Sequence, residues 1–292
     1  CGTAAGADSV LETITKELSR LGLDAIVQQV GCIGICYAEP LMDIVKPGCP
    51  RITYSDVTPG MVTELLEDYL IKDNPRPDLA MGTLGDGDVP GIPKLFDLPV
   101  FKPQVRVALR NCGQIDPTNI NHYIATGGYG GLVKALGMTP EDVVAEMKTS
   151  GLRGRGGAGF PTGMKWEFCQ RSPGPDKYLI CNADEGDPGA FMDRALLEGD
   201  PHAVLEGMLI GAYAIGANHA YIYCRAEYPL AIERLEIAIK QMEEYGLLGD
   251  NILGTDFSLS MVIKEGAGAF VCGEETALMA SIEGQRGMPR SR

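Results

Sequence analysis

Histidine is scarce in this chain, with three in 292 residues, and tryptophan occurs once. His122, His202 and His219 neighbour no obvious nucleophile and do not cluster. That gives little support to a zinc hydrolase or to a Ser/His/Asp or Cys/His hydrolase. Positive charge is short as well: 25 Lys and Arg against 39 Asp and Glu leave a net charge of −14, with an isoelectric point near 4.7. Such a chain is a poor partner for nucleic acid or an anionic membrane surface. Long apolar runs are missing too. The most apolar stretch, Ala203 to Ala217, carries Glu206 and three glycines and falls short of the ~20 apolar residues of a membrane span. No direct membrane insertion is expected.

No secretory signal opens the sequence, and nine cysteines cannot all pair. The thiols therefore fit a reducing, cytoplasmic setting, where close spacing suggests metal ligands. At 45% hydrophobic and 22% charged the chain is an ordinary globular protein with room for roughly two domains. It starts at Cys1, and a last helical pattern near Glu283 runs into Gly284–Pro289, so it reads as a fragment of a longer chain.

Val10, Leu11, Ile14, Leu18 and Leu21 recur at helical spacing, and Gly22 ends that helix. The apolar run Ala25 to Val30, the runs Leu41 to Val45 and Arg51 to Tyr54, and a helix begun by Thr58 and Pro59 complete a small α/β unit over residues 1–73, missing its first strand. Residues 74–103 hold six prolines, which predicts a linker. A domain over 104–292 follows. It opens with a strand at Gln104 to Arg110 and a helix begun by Thr139-Pro140 and stopped by Gly151. From Tyr178 onward strand and helix alternate, which predicts a parallel sheet with covered faces.

Gly154-Arg155-Gly156-Gly157-Ala158-Gly159 fits the G-x-G-x-x-G pattern that lets backbone amides approach a phosphate. A helix precedes it where a Rossmann turn has a strand, and Pro161 follows where the helix should open. Arg153, Arg155 and Lys165 nevertheless make an anion cradle plausible; the bland alternative is a mobile glycine loop. Phe160, Trp166 and Phe168 either pack a flat ring or fill the core. Asn182, Asp184, Glu185 and Asp187 crowd a strand's carboxyl end, where open α/β sheets bind ligands, yet such residues commonly serve as turns and caps. Gly273, Glu274 and Glu275 repeat the arrangement before a last helix. Cys32 and Cys36 form C-x3-C in a loop, with Cys1 ahead of the first helix, so zinc or an iron-sulfur cluster is indicated. The fourth sulfur is either Cys49 or an upstream cysteine. The remaining cysteines read as unligated thiols.

The runs Gly151–Trp166, Asn182–Gly189 and Gly266–Thr276 closely resemble the NADH-binding flavoprotein subunit of respiratory complex I and its soluble relatives, the NAD(P)-linked [FeFe]-hydrogenases and NAD-dependent formate dehydrogenases. Residues 1–73 resemble a truncated thioredoxin-like [2Fe-2S] ferredoxin, fused ahead of the flavin domain as in the soluble relatives. The implied fold is α/β, a ferredoxin domain followed by a mostly parallel-sheet flavin domain. The resemblance implies that Gly154, Arg155, Gly156 and Lys165 surround the FMN phosphate and ribityl chain, with Gly157 and Gly159 of the same glycine loop also at the cofactor. It implies that Asn182, Asp184, Gly273, Glu274 and Glu275 complete the flavin site, with Phe270 beside it where complex I members usually have Tyr. Phe160, Phe168, Glu185 and Asp187 would lie near NAD(H), Asp187 standing where many members have Glu. Cys1, Cys32 and Cys36 would hold the [2Fe-2S] cluster, and a [4Fe-4S] cluster would belong to a missing C-terminal part.

The implied reaction passes a hydride between NAD(H) and FMN and single electrons to iron-sulfur clusters, with no acid-base side chain required. The implied partners are an iron-sulfur electron-transfer subunit and a catalytic hydrogenase or formate dehydrogenase subunit. A rival reading is a non-catalytic iron-sulfur carrier or scaffold with a vestigial flavin site.

Overall fold

In the computed structural model, residues 2–290 are described, and the chain divides into two compact units at Arg110/Asn111. In the first unit, α1 (Ala7–Leu21) buries Val10 and Leu18 and ends where Gly22, at φ 65°, donates its N–H to the Leu18 and Ser19 carbonyls. Strands β1 (Met42–Ile44), β2 (Arg51–Tyr54) and β3 (Ala80–Leu84) form an antiparallel sheet with β2 in the centre. Thr58 caps α2 (Pro59–Leu65) through its side chain, with proline in the first turn. Met42, Ile44, Ile52, Tyr54, Val62 and Leu65 form the core with α1.

Three expectations are corrected here. Residues 74–103 do not form a linker. Between the prolines, β3 pairs with β2, Arg51 facing Leu84 and Ile52 facing Thr83, while Leu95 and Phe101 pack with Ile33, Ile35 and Ala38. A Cβ at Gly82 would lie 2.7 Å from Leu95 Cα, so glycine is what lets this strand meet the segment that follows. Ala25 to Val30 forms no strand, and Ile26 is 88% exposed. Nor does Gln104 to Arg110, whose Val105 and Val107 are exposed; period-2 valines make a strand only where a ladder partner exists.

The second unit begins with short helices α3 (Ile120–Ala125) and α4 (Gly130–Leu136). Thr139 then caps α5 (Pro140–Ser150), and Gly151 at φ 67° closes it. After α6 (Thr162–Arg171) the alternation expected from sequence appears: β4 (Tyr178–Ala183), α7 (Met192–Gly199), α8 (Pro201–Ile215), β5 (His219–Arg225), α9 (Pro229–Glu244), β6 (Ser260–Gly266) and α10 (Glu275–Ile282). The sheet is parallel in the order β4-β5-β6. Along β5, Ala220, Ile222 and Cys224 join Leu205, Leu209, Leu235 and Met242 in one core, and Tyr223 packs with Cys272 and Leu278 in another. That period of two is what burial on both faces requires. Among the described residues no helix is long and apolar enough to cross a membrane.

Glu206, which interrupts the apolar pattern of α8, is a buried hub. Its carboxylate accepts from the Tyr123 hydroxyl, from Tyr129 N at 2.9 Å and from Leu132 N at 3.0 Å. Beside it His202 meets the Tyr129 hydroxyl at 2.7 Å and Gln241 Oε1 at 3.1 Å. Burial lowers the His202 pKa from 6.5 to about 4. A histidine held neutral in the fold contributes stability that is present above pH 6.5 and is lost as pH falls toward 4. The lost stability is expected to be about 3 kcal/mol across that interval. Urea unfolding at pH 7 and at pH 4.5 should show a smaller acid loss in His202→Gln than in the unaltered protein. Equal losses would remove His202 from the account.

Candidate flavin and nucleotide site

The glycine loop is closed at its base rather than loose. Gly154 N donates to Phe160 O at 2.8 Å, and Thr162 N to Leu152 O at 2.9 Å. As expected, a helix, α5, precedes it. Pro161 does not displace the next helix: it is the N-cap residue of α6, which opens at Thr162, so the loop leads straight into a helix N-terminus. Gly157 and Gly159 have φ of 104° and 62°, which accounts for glycine at those two positions. Gly154 and Gly156 are different. Neither has φ in the left-handed region; a Cβ at Gly156 would meet nothing within 4 Å, and one at Gly154 would touch only Phe160 backbone at 3.6 Å. The fold does not demand glycine there, whereas close approach of a ligand to bare backbone would.

Lys165, in the first turn of α6, reaches Glu275 Oε2 of α10 at 3.4 Å, with both side chains largely exposed. Phe160 and Phe168 are exposed with ring centroids 6.4 Å apart. Trp166 takes the other alternative and packs in the core, against Gly211 and its neighbours.

At the carboxyl edge of the sheet Asn182 Nδ2 donates to Gly273 O at 2.9 Å, and Asp184 N to Asn182 Oδ1 at 3.2 Å. Asp184 is buried, burial pushes its carboxyl pKa up, and its Oδ2 has no hydrogen-bond partner. Such an oxygen is costly unless a ligand donates to it. Phe270 is 69% exposed and lies over Gly186, where a Cβ would come within 2.8 Å of the ring. Asp187 is exposed in the same turn.

Two of the named carboxylates work as helix caps. Glu274 accepts from Thr276 N at 2.9 Å and Ala277 N at 3.0 Å, capping α10. Glu185 accepts from Asp193 N at 3.1 Å and Arg194 N at 3.2 Å. It thus caps α7 from outside, where the N-cap residue Phe191 has no acceptor. Asn182, Asp184 and Gly273 therefore meet, as do Lys165 with Glu275 and Gly186 with Phe270.

Sequence reasoning missed the contribution of β5. Because β5 lies between β4 and β6, its last residue and those that follow must emerge between the two ends already named. Arg225, Glu227 and Tyr228 are there. Arg225 Nη1 donates to Glu185 O and Nη2 to Glu227 at 3.0 Å, and the Tyr228 hydroxyl donates to Glu185 Oε2 at 3.1 Å. Gly268, with φ 77°, leaves room for Glu227 Oε1, 2.6 Å from where a Cβ would be. Strand order was the signal that could have found them.

In the first unit, Cys32 and Cys36 sit together, with Gly34 N donating to Cys32 Sγ at 3.3 Å across a turn at φ 97°. Burial first, then the adjacent Cys36 and Glu39, push the Cys32 thiol up to about 12; a bound metal would reverse that by favouring the thiolate. The Cys49 thiol lies at the Tyr69 hydroxyl. Among the described residues no three ligand-type side chains gather into a metal site, and Cys1 lies outside the described residues.

A model of the Nuo51 FMN-binding domain matches residues 147–292, half of the chain. The chain belongs to the Nuo51 FMN-binding domain family. Among its relatives, the NADP-reducing hydrogenase subunit HndC of Solidesulfovibrio fructosivorans is 62% identical over 188 residues, 64% of this chain and 38% of that protein. An NADH-quinone oxidoreductase subunit of Aquifex aeolicus is 49% identical over 201 residues, 69% of this chain and 46% of the relative. The chain thus spans less than half the length of these relatives. A crystal structure of NAD+-reducing [NiFe]-hydrogenase in the air-oxidized state aligns with all of this chain and 45% of that one, at TM-score 0.53 and 25% identity. The Nuo51 match begins within α5 and takes in the glycine loop, β4, β5, β6 and α10.

Proposed function

We propose that this chain is the flavin- and nucleotide-binding part of a subunit that moves electrons between NAD(P)(H) and iron-sulfur carriers, in a soluble hydrogenase or formate dehydrogenase complex of the cytoplasm. The observation that carries this reading is the pair Gly154 and Gly156, glycines without a structural need for glycine, in a closed loop at a helix N-terminus. The buried, unpartnered Asp184 Oδ2 supports it from the opposite side of the argument.

FMN, when bound, supplies the exchange of a two-electron hydride for single electrons, which joins a nicotinamide nucleotide to one-electron carriers. This chain's part is to bind and orient. The amides of Gly154 to Gly159 and the ammonium of Lys165 suit a phosphate, and Glu275 keeps that ammonium near α10. Asn182, Asp184 and Gly273 offer a fixed polar edge. The exposed rings of Phe160 and Phe168 suit an adenine, and Glu185 and Asp187 border the nucleotide. In the first unit Cys32 and Cys36, with Cys1, are assigned to a [2Fe-2S] cluster of a thioredoxin-like domain. A [4Fe-4S] cluster, an iron-sulfur electron-transfer subunit and a catalytic subunit belong to the same proposal.

Gly156→Val tests the reading directly. Its side chain enters open space, so the melting temperature should hold. FMN retained by the full-length protein should fall by at least about tenfold if backbone approach is blocked. Full FMN content in a folded Gly156→Val protein would overturn the assignment.

A further inference from the structure

Glu185 is held through both its side chain and its main chain at the edge of the sheet. Its carboxylate takes the second and third N–H groups of α7 and the Tyr228 hydroxyl, and its carbonyl takes Arg225 Nη1. Tyr228 is 7% exposed, and its ring has the Arg225 guanidinium 5.2 Å and the Arg194 guanidinium 5.6 Å from its centroid. Arg225 is in turn braced by Glu227. Main chain and side chain of Glu185 are thus anchored to the end of β5 with the segment that follows it and to the start of α7. The next residue, Gly186, lies under Phe270, and Asp187 follows in the same turn.

We infer that Arg225 and Tyr228 are positioning residues for nucleotide binding: they fix the Glu185–Asp187 turn before the nucleotide arrives. This inference rests on the nucleotide-binding reading above. The physical reason is preorganisation. A turn already ordered in the free protein spares the nucleotide the cost of ordering it, so removing an anchor weakens binding without touching the reacting atoms.

The test uses the full-length, flavin-loaded protein. Tyr228→Phe keeps the ring between the guanidiniums and deletes the hydroxyl, which reaches Glu185 Oε2 at 3.1 Å and, more weakly, the Ala190 carbonyl at 3.4 Å. Arg225→Met deletes the tie to the Glu185 carbonyl, and Arg225→Lys restores a single donor. In Tyr228→Phe the KM for NADH and the calorimetric Kd for NAD+ should each rise about 3- to 10-fold, the loss expected for one such hydroxyl. FMN content and melting temperature should stay at the unaltered values, with kcat within about twofold. Arg225→Met should weaken binding at least as much, with Arg225→Lys intermediate. Unaltered KM and Kd in both Tyr228→Phe and Arg225→Met would overturn the inference. So would a rise in KM matched by an equal loss of FMN, which would mark these ties as holding the fold. Should the unaltered protein itself fail to bind NAD+ or react with NADH, the parent reading falls and this one with it. That failure differs plainly from variants that behave like a working parent.

Discussion

Glu206→Leu is expected to lower the unfolding free energy of the second unit by about 3–5 kcal/mol, because three buried donors lose their acceptor together. They are the Tyr123 hydroxyl and the amides of Tyr129 and Leu132. Leucine fills a similar volume, so the cost comes from unmet hydrogen bonds and not from a cavity. Space gives no relief either: a Cβ on Gly131 would lie 2.9 Å from Glu206 Oε1, so the helix of Gly130–Leu136 already sits against this side chain. Glu206→Gln is the informative companion. One oxygen of the carboxylate serves Tyr123 and Tyr129 while the other serves Leu132. An amide must therefore turn its NH2 group toward at least one donor, and the expected loss is about 1–3 kcal/mol. Urea unfolding followed by circular dichroism measures both. A loss under about 1 kcal/mol in Glu206→Leu would show that the buried network adds little beyond packing.

Gly163→Ala should be the second large effect, and its sign depends on two opposed terms. Alanine favours helix over glycine by roughly 1 kcal/mol. Against that, a Cβ here would lie 2.6 Å from Lys148 N and 2.8 Å from Lys148 Cα. These are backbone atoms of α5, so no rotamer change relieves the contact and the two helices must separate. Overpacking of this kind costs about 2–3 kcal/mol and should win. The same separation displaces Lys165 and the glycine loop, so FMN content should fall along with the melting temperature. Gly207→Ala serves as the control, because its Cβ would meet nothing within 4 Å inside α8. It should gain about 0.5–1 kcal/mol. A Gly163→Ala protein as stable as Gly207→Ala would overturn this account of the α5–α6 contact.

The elements most readable in the sequence were those with chemically marked ends. Thr58, Thr139 and Asp200 each stand before a proline and each caps its helix through the side chain. Gly22, Gly151 and Gly216 end helices in the left-handed conformation. The parallel pairing of β4, β5 and β6 followed from strict alternation, whereas their order came only with the structure. β3 was hidden because Ala80-Met81-Gly82-Thr83-Leu84 has neither alternation nor branched residues beyond Thr83, and proline-bearing turns flank it. Its strand character comes from β2 and from Leu95, which are remote from any local window.

At the site, the sequence marked which residue types gather but not what each one faces. Nothing in Asn182-Ala183-Asp184-Glu185 distinguishes the buried carboxyl of Asp184 from the helix-capping one of Glu185; α7, reached only after the turn, makes that difference. Gly154 and Gly156 look in sequence like Gly157 and Gly159. Only backbone angles and the space around each separate glycines that shape the loop from glycines that leave it bare.

The pairing of β3 with β2 also bears on where the chain can be divided. A coding segment ending near residue 73 looks like a complete cassette, but its product would carry two strands and leave the β2 edge open to foreign chains. The β2 edge is covered only when the segment extends through β3, and the compact unit to which β3 belongs runs on to Arg110. The proline-dense stretch therefore belongs with the thiol-bearing unit, and a cut that keeps that unit's sheet whole falls after it.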